Sequence, residues 1–147
     1  MNEVPFQILL VEDNPADVYL FRMALTKAML EFQLNVIEDG ALAIEYIQQH
    51  EKDFERRIPD LAVLDLNLPK IEGLKILEAL RKSQRLSMVP VVITTSSSTE
   101  VERSKSQRLG VEKFLTKPPD LEGFLELGTI LKNILLETRK AALSPRP

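Results

Sequence analysis

Five short, mainly apolar runs alternate with five segments of helical periodicity along this chain, and few architectures accept that pattern. The runs lie at residues 8–11, 34–37, 61–66, 91–95 and 113–116. Each is too short for a helix, and the run at 8–11 is fully apolar, the pattern of a strand buried on both faces. Between them stand helical segments with their own punctuation. Asn14-Pro15 supplies an N-cap and a proline at the first helical position, and Val18, Phe21, Leu25 and Ala28 then recur at helical spacing. A second helix is expected over 41–49 after the Asp39-Gly40 turn, and a third over 74–82 with Ile76, Leu77 and Leu80 inward. A weakly apolar fourth is expected over 100–109, stopped by Gly110, and a fifth from 121 to about 138. Strand and helix in strict alternation imply βα units around a parallel sheet.

At 147 residues the chain is expected to form a single domain with a core over about 6–136. A disordered tail is expected from about residue 139, ending in Ser144-Pro145-Arg146-Pro147. The mostly charged stretch 50–58 is expected to be an exposed loop or a frayed helix end, with His50 solvated.

A hydrophobic fraction of 44% and a charged fraction of 28% suit a soluble globular protein, and a net charge of −3 gives no general attraction to nucleic acid or anionic lipid. The chain has no cysteine and one histidine, which excludes disulfides, thiol catalysis and multi-histidine metal centres. It has no apolar run of membrane-spanning length and no signal-like start, so a cytoplasmic location is expected.

The chemistry concentrates where strands end. Glu12-Asp13 closes the first run, Asp65 lies at the end of the third, Thr95 ends the fourth, and Lys117 follows the fifth. In an open α/β sheet the ligand crevice lies outside the carboxyl ends of the strands. If the first and third strands are neighbours, Asp13 and Asp65 meet there, and like charges so placed call for compensation. A hard divalent cation such as Mg2+ supplies it, with oxygens from Asp13, Asp65 and the backbone carbonyl of Asn67, and Glu12 acting through water. Lys117 offers a compact positive charge for a phosphate oxygen and Thr95 a hydroxyl for another. Each residue alone has an ordinary interpretation: an acid at a strand end is usually a turn former or cap, and a lone lysine a surface group. Their coincidence at several strand ends of one sheet is harder to explain that way.

These residues sit in motifs that resemble the receiver domain of two-component response regulators, over about Phe6 to Leu136. The matching stretches are Ile8-Leu9-Leu10-Val11-Glu12-Asp13-Asn14-Pro15, Leu64-Asp65-Leu66-Asn67-Leu68-Pro69 with Gly73, Val91-Val92-Ile93-Thr94-Thr95-Ser96, and Leu115-Thr116-Lys117-Pro118. Thirty positions separate Asp65 from Thr95 and 22 separate Thr95 from Lys117, as the family requires.

The resemblance implies a flavodoxin-like fold, a five-stranded, doubly wound parallel sheet with helices on both faces. It implies that Asp65 accepts a phosphoryl group from a sensor histidine kinase, with Mg2+ held by Glu12, Asp13, Asp65 and the Asn67 carbonyl. Lys117 and Thr95 would bind the phosphoryl oxygens, Thr95 and Phe114 would form the switch, and Thr94 would turn into the fold. The Asn-Pro-Ala-Asp start of the first helix and the Thr-Thr-Ser-Ser-Ser run resemble stand-alone receivers that partner phytochromes.

The fifth helix carries more apolar residues than one buried face needs, which suggests a homodimer through helix four, strand five and helix five. Output is expected through protein contact, since the few residues after that helix cannot fold into a DNA-binding module. Three other functions are weighed. A phosphorylation-independent interaction module would keep the same residues unused. An aspartate-nucleophile phosphatase would want a second Asp where Asn67 stands. A flavin-binding domain would want a hydroxyl-rich phosphate loop where Glu12-Asp13 stands.

Overall fold

The computed structural model describes residues 4–143. Five strands and five helices alternate: β1 Phe6–Val11, α1 Pro15–Lys27, β2 Phe32–Ile37, α2 Gly40–Lys52, β3 Leu61–Asp65, α3 Gly73–Lys82, β4 Val91–Thr95, α4 Glu100–Arg108, β5 Lys113–Thr116 and α5 Leu121–Leu143. The strands pair in parallel in the order β2-β1-β3-β4-β5, which puts β1, β3 and β4 in the middle of the sheet. This is the flavodoxin-like, doubly wound arrangement with its switch point beside β1 and β3.

Alternate side chains of the central strands feed two separate cores. Ile8 and Leu10 of β1, with Val63 and Val92, pack against Phe21 and Leu25 of α1 and Phe124, Leu127 and Leu131 of α5. Leu9 and Val11, with Leu64 and Ile93, pack on the other face against Ile47 of α2 and Ile76, Leu77 and Leu80 of α3. Burial on both faces is why these strands are continuous apolar runs in the sequence.

The strands and helices fall where the pattern places them, with differences at the ends. β2 starts at Phe32, two residues before the expected start, because its exposed Gln33 breaks the apolar run that marked it. α5 continues to Leu143, so the disordered tail expected from residue 139 is corrected to helix over 139–143; residues 144–147 lie outside the described residues. The apolar surplus of α5 is divided between the domain's interior and its surface. Leu125 and Ile130 are half-buried, while Leu121 and Leu136 remain exposed.

Beyond α2 the stretch 53–58 is exposed and irregular, as expected, and the larger correction concerns His50. α2 runs on through Lys52, and His50 is 2% exposed rather than solvated. Its ring nitrogens face the carbonyls of Tyr46 at 2.9 Å and Arg57 at 3.1 Å. The loop beyond is gathered by Arg85, which donates to the carbonyls of His50, Asp53 and Arg56 and lies over the Phe54 ring. Glu51 accepts from the Ser83 hydroxyl and from the Arg85 backbone N–H. Arg81 does the same on the other side of α3, donating to the carbonyls of Ser87, Val89, Leu109 and Gly110. The charges in this part of the chain satisfy backbone acceptors that would otherwise be left unpaired. Among the described residues no helix is long and apolar enough to cross a membrane.

Candidate functional site

The site is built at the carboxyl edge of β1, β3 and β4. The register pairs Val11 with Leu64 and Asp65 with Thr94, so Glu12 follows β1 directly alongside Asp65. Carboxylate oxygens of Glu12, Asp13 and Asp65 all lie within 4.8 Å of one another. Glu12 and Asp65 are buried while Asp13 faces solvent. The chain leaves β1 immediately into α1, whose first turn is fixed by the Asn14 side chain accepting from the Ala16 N–H at 2.9 Å. On the other side Gly73 lets α3 begin directly behind the cluster. A Cβ there would sit 2.4 Å from the Asp65 carbonyl oxygen and 2.8 Å from the Leu66 Cα.

Lys117 reaches in from the end of β5, where its backbone N–H bonds the Thr95 carbonyl at 2.8 Å. Its Nζ donates to Glu12 Oε1 at 2.6 Å, Asp17 Oδ2 at 2.8 Å and Asp65 Oδ2 at 3.2 Å. Burial alone would pull this ammonium down, but the hydrogen bonds to Asp17 and Glu12 and the charges of Glu12 and Asp65 outweigh it. The group is held above its usual value.

Asn67 joins the two halves of the site. Its backbone N–H donates to Asp65 Oδ1 at 3.0 Å, and its side-chain amide donates to Thr95 Oγ1 at 2.8 Å. The Thr95 hydroxyl is fully buried and donates to the Ser97 carbonyl at 2.5 Å, turned along its own loop. Thr94 points into the fold as expected, 1% exposed, with its hydroxyl unpartnered. Phe114 is half-buried against the α2–α3 core, with the Arg103 guanidinium 4.6 Å from its ring centre.

Every sequence-selected residue therefore lies at this edge or next to it, and Glu12, Asp65 and Lys117 are in direct contact. Thr95 communicates with Asp65 through Asn67, and Phe114 stands one strand away. Asp17 is the residue that sequence reasoning passed over. Its signal was available: an acid in the first turn of the helix that leaves the acidic cluster, four positions after Asp13.

A hard divalent cation fits this donor set. Three carboxylates, those of Glu12, Asp17 and Asp65, share one ammonium, Asp13 adds a fourth acid beside them, and the three that converge (Glu12, Asp13 and Asp65) offer only oxygen. The strain of that imbalance is visible at Glu12. Burial pushes its carboxyl from 4.5 up to about 7, the Lys117 hydrogen bond offsets part of this, and the Asp65 charge adds to it. The folded chain thus keeps a proton on Glu12 that the unfolded chain has released. With chelator present, this group makes stability fall as pH rises between about 4.5 and about 7. Glu12→Gln is expected to lose that part of the pH dependence, and Mg2+ to suppress it in the wild type. Thermal melts that rise across the same window relative to Glu12→Gln would contradict this.

Comparison with known proteins bears on the same residues. The family profile of the response regulator receiver domain matches residues 8–127. Response regulator Rcp1 of Synechocystis sp. is 34% identical over 134 residues, which covers 91% of each chain. The structure of the phosphorylated cyanobacterial phytochrome response regulator RcpA superposes with a TM-score of 0.81 at 31% identity, over 92% of this chain and 96% of its own. The Mn(2+)-bound form of Rcp1 superposes with a TM-score of 0.79 at 31% identity, over 97% and 99%. The sheet order, the shared carboxylate cluster and a family match over most of its length together make this chain a member of the response regulator receiver family.

Proposed function

We propose that Asp65 is the phosphoacceptor of a single receiver domain that takes its phosphoryl group from a sensor histidine kinase. The observation that carries this is the convergence of Glu12, Asp13 and Asp65 within 4.8 Å, with the Lys117 ammonium 3.2 Å from the Asp65 carboxylate. An Asp65 carboxylate oxygen attacks the phosphorus of phosphohistidine. The P–N bond breaks, its electron pair stays on the imidazole nitrogen, and that nitrogen gains a proton from solvent. Positioning and charge neutralisation govern such a transfer. Glu12, Asp13, Asp65 and the Asn67 carbonyl would hold Mg2+, which would supply positive charge to offset the negative charge of the phosphoryl group. Lys117, whose ammonium already touches Asp65 and Glu12, supplies a second positive charge. Attack by water on phosphorus later restores the carboxylate and releases phosphate, so the signal decays.

The switch follows from where Thr95 now points. Its hydroxyl is turned toward the Ser97 carbonyl. A phosphoryl oxygen on Asp65 is a stronger, charged acceptor. Thr95 leaves Ser97 for it, Asn67 keeps only the Ser97 carbonyl of its two side-chain acceptors, and space opens beside β4 into which Phe114 repacks from beneath Arg103. This biases the surface of α4, β5 and α5.

Similarity to Rcp1 and to RcpA, a phytochrome response regulator, supports a phytochrome-type kinase as the partner. Homodimerisation through the α4–β5–α5 face is supported by Val101 of α4 and Leu121 of α5, which are 62% and 53% exposed. Incubation with Mg2+ and a small phosphodonor is expected to add one phosphoryl group by intact mass, and a chelator to prevent it. Light scattering is expected to show a dimer that Val101→Asp with Leu121→Asp reduces to a monomer. An adduct formed equally in chelator would remove the metal-dependent reading, and an unchanged dimer would remove that face.

A further inference from the structure

We propose that Asp17 is a positioning residue for phosphoryl transfer, a fixed anchor that holds the Lys117 ammonium at the site while its other two carboxylate partners change role. The proposal deepens the reading of Asp65 as phosphoacceptor and rests on it.

An ammonium has three hydrogens, and Lys117 spends them on Glu12, Asp17 and Asp65. Two of those partners do not keep their present role during the reaction. Glu12 and Asp65 belong to the trio of carboxylates that converge to bind a cation, and Asp65 becomes an acyl phosphate. Asp17 lies outside that trio. It stands in the first turn of α1, where Asn14 caps the helix, Pro15 fixes its first residue, and the positive end of the helix dipole favours an ionised acid. The lysine stem is long and flexible, so its ammonium is only as well placed as its most constant partner.

Geometry favours an anchor over a competitor. Nζ lies closer to Glu12 and Asp17, at 2.6 and 2.8 Å, than to Asp65 at 3.2 Å. It therefore sits on the α1 side of the acceptor, with its weakest bond toward the atom that is modified. A phosphoryl group added to Asp65 projects beyond the carboxylate and presents oxygens to an ammonium that has not moved. The bond to Asp17 need not break at any stage, whereas the bond to Asp65 is exchanged for one to the phosphoryl oxygen.

The alternative is that Asp17 merely stabilises the start of α1. A double-mutant cycle separates the two. Phosphorylation rates are measured by intact mass with a small phosphodonor at saturating Mg2+ for wild type, Asp17→Asn, Lys117→Met and the double variant. Intact mass is the readout because the chain has no tryptophan to report fluorescence. Asp17→Asn is expected to slow the wild-type reaction about tenfold. It is expected to change the Lys117→Met rate by less than about twofold, because the group it positions is gone. Equal slowing in both backgrounds would assign Asp17 to the helix and overturn the proposal, as would an Asp17→Asn rate equal to wild type. A wild-type chain that takes up no phosphoryl group would instead remove the phosphoacceptor reading, and this proposal with it.

Discussion

Asp65→Asn is expected to take up no phosphoryl group under conditions that label the wild-type chain completely. The substitution keeps the shape of the side chain and its carbonyl oxygen but removes the anionic nucleophile, and an amide cannot form the acyl phosphate. Asp13 is exposed, and Glu12 is buried and bonded to Lys117, so neither stands in for it. The same change should make the resting protein more stable in chelator near neutral pH. Burial does most to hold the Glu12 carboxyl up near 7 and the Asp65 charge adds to it, so neutralising Asp65 removes that added part. Loss of the adduct with a gain in thermal stability is the paired result. Labelling of Asp65→Asn at the wild-type rate would mean that another residue is the acceptor.

The second large effect is on folding. Gly128→Ala is expected to destabilise the domain by about 3 kcal/mol, near the upper end for overpacking. A Cβ at Gly128 would lie 2.1 Å from the Ala24 carbonyl oxygen and 2.5 Å from its carbon. These are backbone atoms of α1, so no rotamer change relieves the clash and the helices themselves have to part. That separation would disturb the edge-on Phe21–Phe124 contact, with ring centres 5.0 Å apart, and the bond from Lys132 Nζ to the Ala28 carbonyl. Because α1 also carries Asp17, phosphorylation should slow as well. Urea denaturation measures the loss, and a midpoint unchanged from wild type would show that α1 and α5 have slack the packing does not suggest.

Much of this was legible in the sequence because the same physics writes both. Strands buried on two faces leave uninterrupted apolar runs, and the run at 61–66 ends within a residue of the observed β3. A parallel sheet delivers every strand end to one edge, which is why Glu12, Asp13, Asp65 and Lys117 were recognisable together before any contact was known. What stayed hidden was carried by groups with no period. Arg81 and Arg85 bond backbone carbonyls, a role that charge alone does not disclose. His50 is buried by a helix that runs one turn past the expected end. Asp17 was masked by its ordinary place in a helix's first turn. The surplus apolar residues of α5 divide between two uses: Leu125 and Ile130 are half-buried within the domain, while Leu121 and Leu136 stay exposed.

The claim on which the account depends is that a cation-neutralised carboxylate cluster makes Asp65 a transient acyl phosphate. Borohydride trapping tests it most directly, since hydride reduces an aspartyl phosphate to homoserine and peptide mapping then locates it. The account predicts homoserine at position 65 alone, formed with Mg2+ and absent with chelator. Reduction product at position 12, 13 or 17, or at position 65 to the same extent without metal, would contradict it.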